Sequence, residues 1–414
     1  MPDRLHRVID EQHSIVDRMV CPNGAVLASG WGHYKAHWIR DGLYALEAYK
    51  HLGIHKRLKL LANAPMNIFH RYDSRIHEGV RRRPQDDYKF IHSRYSAFSL
   101  EELPEKWGHN QLDMLGLFLY EISDLTLRFH NVFHECDIGR TQATIVLNSI
   151  TRYLNTMKWW EFPDYGVWEE GPDLHSSSLG AVVGGLEKLE EVNRKYPALE
   201  LFFELDQLDK GRQALNSLLP RESRNDENEK PNRNRACDLA QLSLIWPFDV
   251  LDRKQEDTVL RQIEEQLVRE KGVIRYAFDP YYNGEDERLQ SSKLEDVGQI
   301  LYYRDEDASS FPATRAGSEA QWPLGFGWLS IVYSHLADKR GGDEADTCRE
   351  KARHYWERLL GAAVHVKDLE SGYIPELYSR GVPNGNTPLT WSSAFAIVAS
   401  VRLAESPPAT TATR

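Results

Sequence analysis

Apolar positions along the chain recur with the period of an α-helix, and alternating strand-like patterns are scarce. The helical segments fall into pairs. The first member of each pair is charged and amphipathic, whereas the second is apolar on most sides and contains Gly and Ala, which is typical of a helix buried in a core. Six such pairs predict an all-α protein with six outer and six inner helices.

The inner helices are predicted to begin at regular intervals, roughly 60–80 residues apart. These starts lie near Ile39, Asn110, Ser177, Ala236, Glu319 and Pro388. Regularly spaced helix pairs are typical of an α/α toroid or a solenoid. Long aromatic and polar segments precede the inner helices, and loops of that length in a compact domain usually carry function. We therefore expect these loops to open on one face, around a funnel-shaped site.

The chain lacks a linker that would divide it, so we predict one domain over residues 1–405 and a disordered tail over residues 406–414. We find no apolar run near the roughly 18 residues of a membrane span and no secretory pattern at the start, so we expect no membrane partner. The four cysteines are dispersed and form no CxxC pair. This spacing predicts no zinc or redox motif, and reduced thiols favour a cytoplasmic location.

Composition narrows the class of ligand. The formal net charge of -11 argues against a nucleic-acid partner. Eleven Trp and nineteen Tyr exceed what a core needs, because both side chains carry a polar edge that requires a partner. Such a surplus often lines clefts for sugars or aromatic ligands, although large helical cores also use it.

The stretch "HWIRDGLYAL" places Arg40 and Asp41 at the entrance of an inner helix. Asp at a helix start with Arg as its partner is explained by the helix dipole alone. The alternative is a polar clamp for a ligand, because Asp accepts and Arg donates hydrogen bonds in a fixed geometry. Sugar hydroxyls require such a mixture of donors and acceptors.

Two further motifs precede inner helices. In "KWGHNQLDMLG", Trp107 is either a core residue or part of a ligand pocket. In "DYGVWEEG", Glu169 and Glu170 either favour the following helix start or handle protons beside a ligand. A carboxyl group packed near Trp168 is desolvated, and desolvation favours the neutral form that a general acid needs.

The last two motifs bring a cation and another carboxylate to corresponding positions. Arg275 in "GVIRYAFDPYYNG" stands among tyrosines, which is compatible with simple cation–aromatic stacking. Glu376 in "SGYIPELYSRG" lies in a loop before the last inner helix, where a lone Glu is commonly just solvated. Because all five motifs precede inner helices, Glu169 and Glu376 are predicted to face each other across one funnel. Paired carboxylates are the minimum requirement for glycoside hydrolysis.

Taken in order, "WIRD", "WGHNQLD", "DYGVWEEG", "GVIRY…YYNG", "EAQWP" and "IPEL…PLTWSSA" resemble glycoside hydrolase family 15, the glucoamylase family. Some variants look especially like its relatives, the α and β subunits of phosphorylase kinase. The resemblance implies an (α/α)6 barrel and inversion at the anomeric carbon. It implies that Glu169 is the general acid and Glu376 the general base.

The same resemblance implies that Arg40 and Asp41 bind the non-reducing terminal sugar, that Trp107 contributes to the same pocket and that Arg275 contacts substrate. The predicted substrate-binding residues also include Trp38, Trp168, Glu170 and Trp322.

Together with the resemblance, these residues predict an exo-acting, inverting hydrolase that releases glucose from α-glucans or α-glucosides without a metal or cofactor. The linkage stays open among α-1,4, α-1,6 and trehalose. The main alternative is a non-catalytic glucan-binding or regulatory protein like the phosphorylase kinase subunits. A third interpretation, a sugar epimerase or lyase, requires a pair of catalytic histidines, for which His33, His37 and His109 are the candidates.

Overall fold

The computed structural model describes residues 2–30, 34–104, 107–129, 137–202, 204–224, 235–279, 281–282 and 317–406. The predicted tail, 406–414, lies outside these ranges except for Ser406. The described chain forms an (α/α)6 barrel, in which an inner ring of helices is surrounded by outer helices. The predicted fold class is therefore confirmed.

The outer helices are α1 (Pro2–Met19), α3 (His55–Arg71), α6 (Gly139–Met157), α8 (Leu205–Leu218), α9 (Arg253–Gln266) and α11 (Gly342–Gly361). The inner ring consists of α2 (Ile39–Leu52), α5 (Leu112–Arg128), α7 (Ser176–Lys195), the 3-10 helix Leu239–Leu244, α10 (Leu324–Lys339) and α12 (Thr390–Glu405). A further helix, α4 (Asp73–Arg81), follows α3, and short 3-10 helices span Asp87–Lys89 and Pro197–Leu199.

Burial separates the two layers as the apolar pattern predicts. All residues from Ile39 to Lys50 of α2 and from Thr390 to Val401 of α12 are buried. In the outer helix α9, burial is confined to one stripe, formed by Glu256, Val259, Leu260 and Ile263. Positions one turn apart lie on the same side of a helix, so α9 presents one face to the ring and leaves the other in solvent.

The ring is closed by its two ends. Each inner element packs against its neighbours in order, and α12 packs against both α10 and α2. The first outer helix, α1, covers α12. Gln12 of α1 is fully buried, and its amide group donates hydrogen bonds to Ser371 Oγ (2.9 Å) and the Gly372 carbonyl (3.0 Å). The start of the chain thus seals the barrel against its last connection.

The fourth inner element differs from the prediction, because it is a six-residue 3-10 helix instead of a full α-helix. Its start is capped reciprocally. The Asp238 carboxylate accepts from the Ala240 backbone N–H (2.8 Å), and the Gln241 side chain accepts from the Asp238 N–H (3.1 Å). Pro247 follows closely, and proline lacks an N–H and disfavours helical backbone in the preceding residue. The element therefore stops after about two turns.

Short antiparallel strand pairs lie in the loops. Strand β1 (Ala36–Trp38) pairs with β2 (Arg94–Ser96), β3 (Val364–Val366) with β4 (Leu369–Tyr373), and β5 (Tyr378–Ser379) with β6 (Val382–Pro383). Strand β1 of the first pair ends at Trp38, immediately before α2, and the third pair follows Glu376. The strand pairs thus fix segments that carry predicted site residues.

Candidate active site

A pocket opens at the end of the ring where the inner helices begin. Its empty volume, counted out to the open mouth, is about 660 Å³. Its lining comprises Tyr34, Trp38, Arg40, Asp41, Trp107, Val167, Trp168, Glu169, Arg275, Tyr281, Trp322, Glu376, Leu389 and Trp391. The segments that precede α2, α5, α7, α10 and α12 therefore meet at one place. All predicted site residues line this pocket except Glu170.

Glu169 lies in the connection between α6 and α7, and both of its carboxylate oxygens accept hydrogen bonds. Arg40 Nη2 donates to Oε1 (3.1 Å), and the indole nitrogens of Trp107 (2.8 Å) and Trp38 (3.3 Å) donate to Oε2. Sequence reasoning predicted a carboxyl group that is desolvated by packing near Trp168. The indole nitrogen of Trp168 donates its hydrogen bond to Asp238 Oδ1 (2.8 Å). The donors on Glu169 fix the plane of its carboxyl group relative to the pocket.

The other guanidinium nitrogen of Arg40 is bound by residues of the α5 segment. Its Nη1 donates to Asp113 Oδ2 (2.7 Å) and to Gln111 Oε1 (3.1 Å), and all of these side chains are buried. Asp113 lies in the first turn of α5, within the motif "WGHNQLD". Sequence reasoning did not assign a role to Gln111 or Asp113, although the motif contains both residues.

Glu376 also lines the pocket and is almost fully buried. Tyr34 Oη donates to its Oε1 (2.5 Å), while the side-chain amides of Asn384 (2.5 Å) and Asn386 (2.7 Å) donate to Oε2. Burial raises the pKa of Glu376, and the hydrogen bonds from Tyr34, Asn386 and Asn384 oppose this rise. These donors stabilise the carboxylate form in a dry environment.

Asp41 lies in the first turn of α2, and the charges of Glu169 and Glu376 both act on its carboxyl group. Burial raises the pKa of Asp41 to about 7, against the opposing charge of Arg40. The negative charges of Glu169 and Glu376 add to the rise, so Asp41 is electrostatically coupled to both. Three acidic side chains therefore share one cavity, and their charges interact.

Arg275 lines the pocket, but its hydrogen bonds point away from it. Its guanidinium binds Asp279 through two contacts of 2.6 Å and Glu170 Oε1 at 2.7 Å. The guanidinium also lies over the rings of Trp168 (5.3 Å) and Trp322 (5.2 Å), which form part of the wall. Glu170, predicted to bind substrate, is buried behind this wall instead of lining the pocket.

Aromatic rings form most of the remaining surface. Trp168 lies against Trp391 (ring centroids 6.3 Å apart) and Trp322 (5.6 Å), and Tyr281 lies 5.9 Å from Trp322. Sequence reasoning assigned no role to Tyr34, Tyr281 or Trp391. Trp391 and Tyr281 stand in the quoted motifs "PLTWSSA" and "GVIRYAFDPYYNG", which was the available signal, but Tyr34 stands outside any pattern that we used.

Of the histidines proposed for an epimerase or lyase, the two that the structure describes, His37 and His109, do not line the pocket. His109 is stacked on His92 (3.7 Å, 5° between planes), and burial lowers the pKa of His109 to about 2. His37 forms hydrogen bonds with the backbone of Val26, and burial lowers its pKa to about 4. His33 lies outside the described residues. Both described rings are structural, so they do not support that reaction class.

In the described ranges, we find no group of three or more His, Cys, Asp or Glu side chains arranged to hold a metal ion. Among the helices of the same ranges, none combines the length and apolar character needed to cross a bilayer.

Comparison with known proteins assigns the chain to a family. A model of the family Glycosyl hydrolases family 15 matches residues 18–313, which is more than half of the chain. The chain belongs to glycosyl hydrolase family 15. The resemblance inferred from the motifs is thereby confirmed, and a carbohydrate is the class of partner that the family supports.

Curated relatives of this family 15 chain are regulatory subunits. It is 26% identical over 288 residues to a probable phosphorylase b kinase regulatory subunit alpha of Drosophila melanogaster, covering 64% of the chain and 20% of that protein. It is 23% identical over 416 residues to the skeletal muscle isoform of phosphorylase b kinase regulatory subunit alpha of Oryctolagus cuniculus, covering 89% of the chain and 30% of that protein. The chain spans less than a third of the length of these relatives.

Solved structures with the same fold are glycosidases. A wild-type glycosidase superposes with a TM-score of 0.71 at 18% identity, over 97% of each chain. A variant glycosidase solved in complex with glucose gives 0.71 at 17% identity, also over 97% of each chain. The glucoamylase of Saccharomycopsis fibuligera gives 0.65 at 14% identity, covering 97% of this chain and 95% of that one. At these identities the likeness establishes the (α/α)6 fold.

Proposed function

We propose that this protein is an exo-acting, inverting glycoside hydrolase that releases glucose from the non-reducing ends of α-glucans or α-glucosides. The observation that carries the proposal is that Glu169 and Glu376, far apart in the sequence, line one pocket with aromatic walls. Two carboxyl groups that flank a sugar-sized space are the equipment this chemistry needs.

The roles of the two carboxyl groups follow the family resemblance, in which the Glu after the motif Trp is the acid and the Glu before the last inner helix is the base. Glu376 is the general base: three donors stabilise its carboxylate, which accepts a proton from water. Glu169 is the general acid: its carboxyl group is oriented by Trp38, Trp107 and Arg40. Arg40 and Asp41, in the first turn of α2, bind the hydroxyls of the terminal sugar and end the pocket, so the enzyme acts from chain ends.

In the proposed reaction, Glu169 transfers a proton to the glycosidic oxygen while the bond between that oxygen and the anomeric carbon breaks. A water molecule on the opposite ring face attacks the anomeric carbon, and Glu376 takes the proton that the water loses. The product is β-glucose from an α-linked substrate. Because the water needs room, we predict about 6.5–9.5 Å between the two carboxyl groups in the substrate complex. The aromatic walls and carboxylate charge flank the cationic transition state.

A substrate panel tests the reaction. The purified chain is incubated with maltose, isomaltose, trehalose and maltooligosaccharides, and proton NMR follows the anomeric signals of released glucose. We expect β-glucose as the first product of at least one substrate. Release of α-glucose would contradict inversion, and release from internal bonds, seen as new oligosaccharides before glucose, would contradict exo action.

Substitutions then test the roles. Glu169→Gln and Glu376→Gln each keep the side-chain shape but remove the acid or base, so we expect turnover to fall by on the order of 10³-fold with little change in sugar binding. The matched control is Glu265→Gln on the outer helix α9, where an exposed carboxylate is removed. Wild-type turnover in either pocket variant would refute the assigned role.

A second candidate function is supported by the curated relatives, which are regulatory subunits of phosphorylase b kinase. In that case the pocket binds a glucan end without cleaving it. Calorimetry with maltooligosaccharides on the wild-type chain separates the two. Binding that depends on Asp41, together with no product from any substrate after long incubation, would favour the regulatory function over hydrolysis.

A further inference from the structure

We propose that Glu170 is a positioning residue, which holds Glu169 in place by anchoring the next residue of the chain to Arg235 and Arg275 behind the pocket wall. This inference rests on the proposed hydrolase function for its kinetic consequences. It differs from the sequence-based prediction, in which Glu170 contacts substrate.

Both carboxylate oxygens of Glu170 are occupied by protein donors. Arg275 Nη2 donates to Oε1 at 2.7 Å, and Arg235 Nη2 and Tyr276 Oη both donate to Oε2. The residue is only 5% exposed and does not line the pocket. Both guanidinium groups are buried with this carboxylate, and breaking a buried ion pair is strongly unfavourable, so Glu170 is held in place.

The donors are themselves fixed. Asp279 binds the Arg275 guanidinium through two oxygens at 2.6 Å, so its orientation is set independently of Glu170. The Arg235 guanidinium lies 4.3 Å from the centre of the Tyr276 ring. Its Nη1 is 3.4 Å from His175 Nε2, at the start of α7. The anchor therefore joins the acid-bearing loop to rigid parts of the barrel.

Glu169 needs such an anchor, because its backbone is in the left-handed region with φ of +59°. This conformation costs a non-glycine residue roughly 1–2 kcal/mol and persists only when its surroundings enforce it. Two backbone hydrogen bonds close the turn, from Glu169 N–H to the Gly166 carbonyl (3.2 Å) and from Glu170 N–H to the Tyr165 carbonyl (3.0 Å). The Glu170 side chain fixes the far end of this turn, and thereby the direction in which the Glu169 side chain leaves the backbone.

Steady-state kinetics of Glu170→Gln and Arg235→Gln test the proposal. A displaced acid lowers turnover without removing a sugar contact, so we expect kcat to fall by on the order of 10²-fold with KM within about twofold of wild type. The double variant is expected to lose little more than either single variant, because both remove the same contact. A raised KM with preserved kcat in Glu170→Gln, and no effect of Arg235→Gln, would instead identify Glu170 as a substrate contact.

A milder substitution covers the case in which these variants do not fold. Tyr276→Phe removes one donor to Glu170 and leaves no charge unpaired, and we expect kcat to fall several-fold, about 0.5–1 decade. The matched control is Tyr355→Phe, which removes a hydroxyl that donates to Glu264 (2.8 Å) between outer helices and is expected to leave kcat unchanged. Equal kinetics for the two variants would overturn the proposal.

An NMR measurement decides the inference even if the hydrolase proposal fails. The indole N–H groups of Trp38 and Trp107 both donate to Glu169. In the ligand-free protein, their resonances are expected to shift in Tyr276→Phe and Glu170→Gln, and to stay in place in Tyr355→Phe. Unshifted indole signals in the folded Glu170 variant would show that Glu169 does not depend on Glu170. Inactivity of the wild-type chain toward all substrates would count against hydrolysis alone.

Discussion

At the scale of single residues, Asp41 makes stability depend on pH. Burial raises its pKa from an ordinary 3.8 to about 7, so the folded state binds this proton more tightly than the unfolded chain. The stabilisation is fully present below about pH 4 and is lost as pH rises through 7, where an ionised carboxylate stays buried. We predict that Asp41→Asn becomes progressively more stable than wild type between pH 4 and 8, by on the order of 4 kcal/mol at the limit.

Urea unfolding of wild type and Asp41→Asn at a series of pH values measures this effect. Asp10→Asn on α1 is the control, because it removes an exposed carboxylate. A stability difference between wild type and Asp41→Asn that stays constant with pH would show that Asp41 titrates alike in the folded and unfolded states.

At the scale of elements, the β5–β6 hairpin places the side-chain amides of Asn384 and Asn386 beside Glu376, which precedes it. Asn386 donates to Glu376 Oε2 at 2.7 Å, and this bond opposes the rise in pKa caused by burial. Asn386→Leu removes the donor, so the pKa of Glu376 is expected to rise further. If Glu376 is the base, the acidic limb of kcat/KM then moves to higher pH, by about one unit.

An exposed residue of strand β6 in the same hairpin supplies the control. Val382 is 64% exposed, and Val382→Ser is expected to leave the pH profile of kcat/KM at its wild-type position. An unchanged acidic limb in Asn386→Leu would show that the limb does not report the titration of Glu376.

Most elements follow from the apolar pattern, and the exceptions have physical causes. The predicted inner start at Ile39 agrees with α2, and the start near Ser177 lies one residue from that of α7. The fourth inner element is shorter than predicted, because its 3-10 helix is fixed by the Asp238 cap and ended before Pro247. The short strand pairs were not predicted, because strands of two to five residues are too short to show a usable alternation of apolar and polar positions.

At the scale of the whole molecule, the pocket could be predicted only in part. The common position of five motifs ahead of inner helices was sufficient to bring Arg40, Glu169 and Glu376 together. The orientation of Glu170 could not be predicted, because it depends on Arg235, a residue 65 positions away in a segment without a motif. Side chains adjacent in sequence thus lie on opposite sides of one wall, and only the folded chain distinguishes them.

The width of the inner ring is set where α5 and α7 touch. A Cβ added at Gly116 would lie 2.4–2.5 Å from the backbone of Ala181 and Val182, and one at Gly185 would lie 2.4 Å from the Gly116 carbonyl oxygen. Backbone atoms cannot yield as a flexible side chain can, so Gly116→Ala must push the two helices apart. We predict a loss of about 1–3 kcal/mol or more in the free energy of unfolding.

The displacement is expected to reach the pocket, because the segments ahead of α5 and α7 carry Trp107 and Glu169. Sugar binding by Gly116→Ala should therefore weaken along with stability, as measured by calorimetry at a temperature where the variant is folded. The control is Gly361→Ala at the end of α11, where an added Cβ meets no atom within 4 Å and stability should be unchanged or slightly higher. Equal stability of the two variants would mean that the α5–α7 contact can relax without moving the ring.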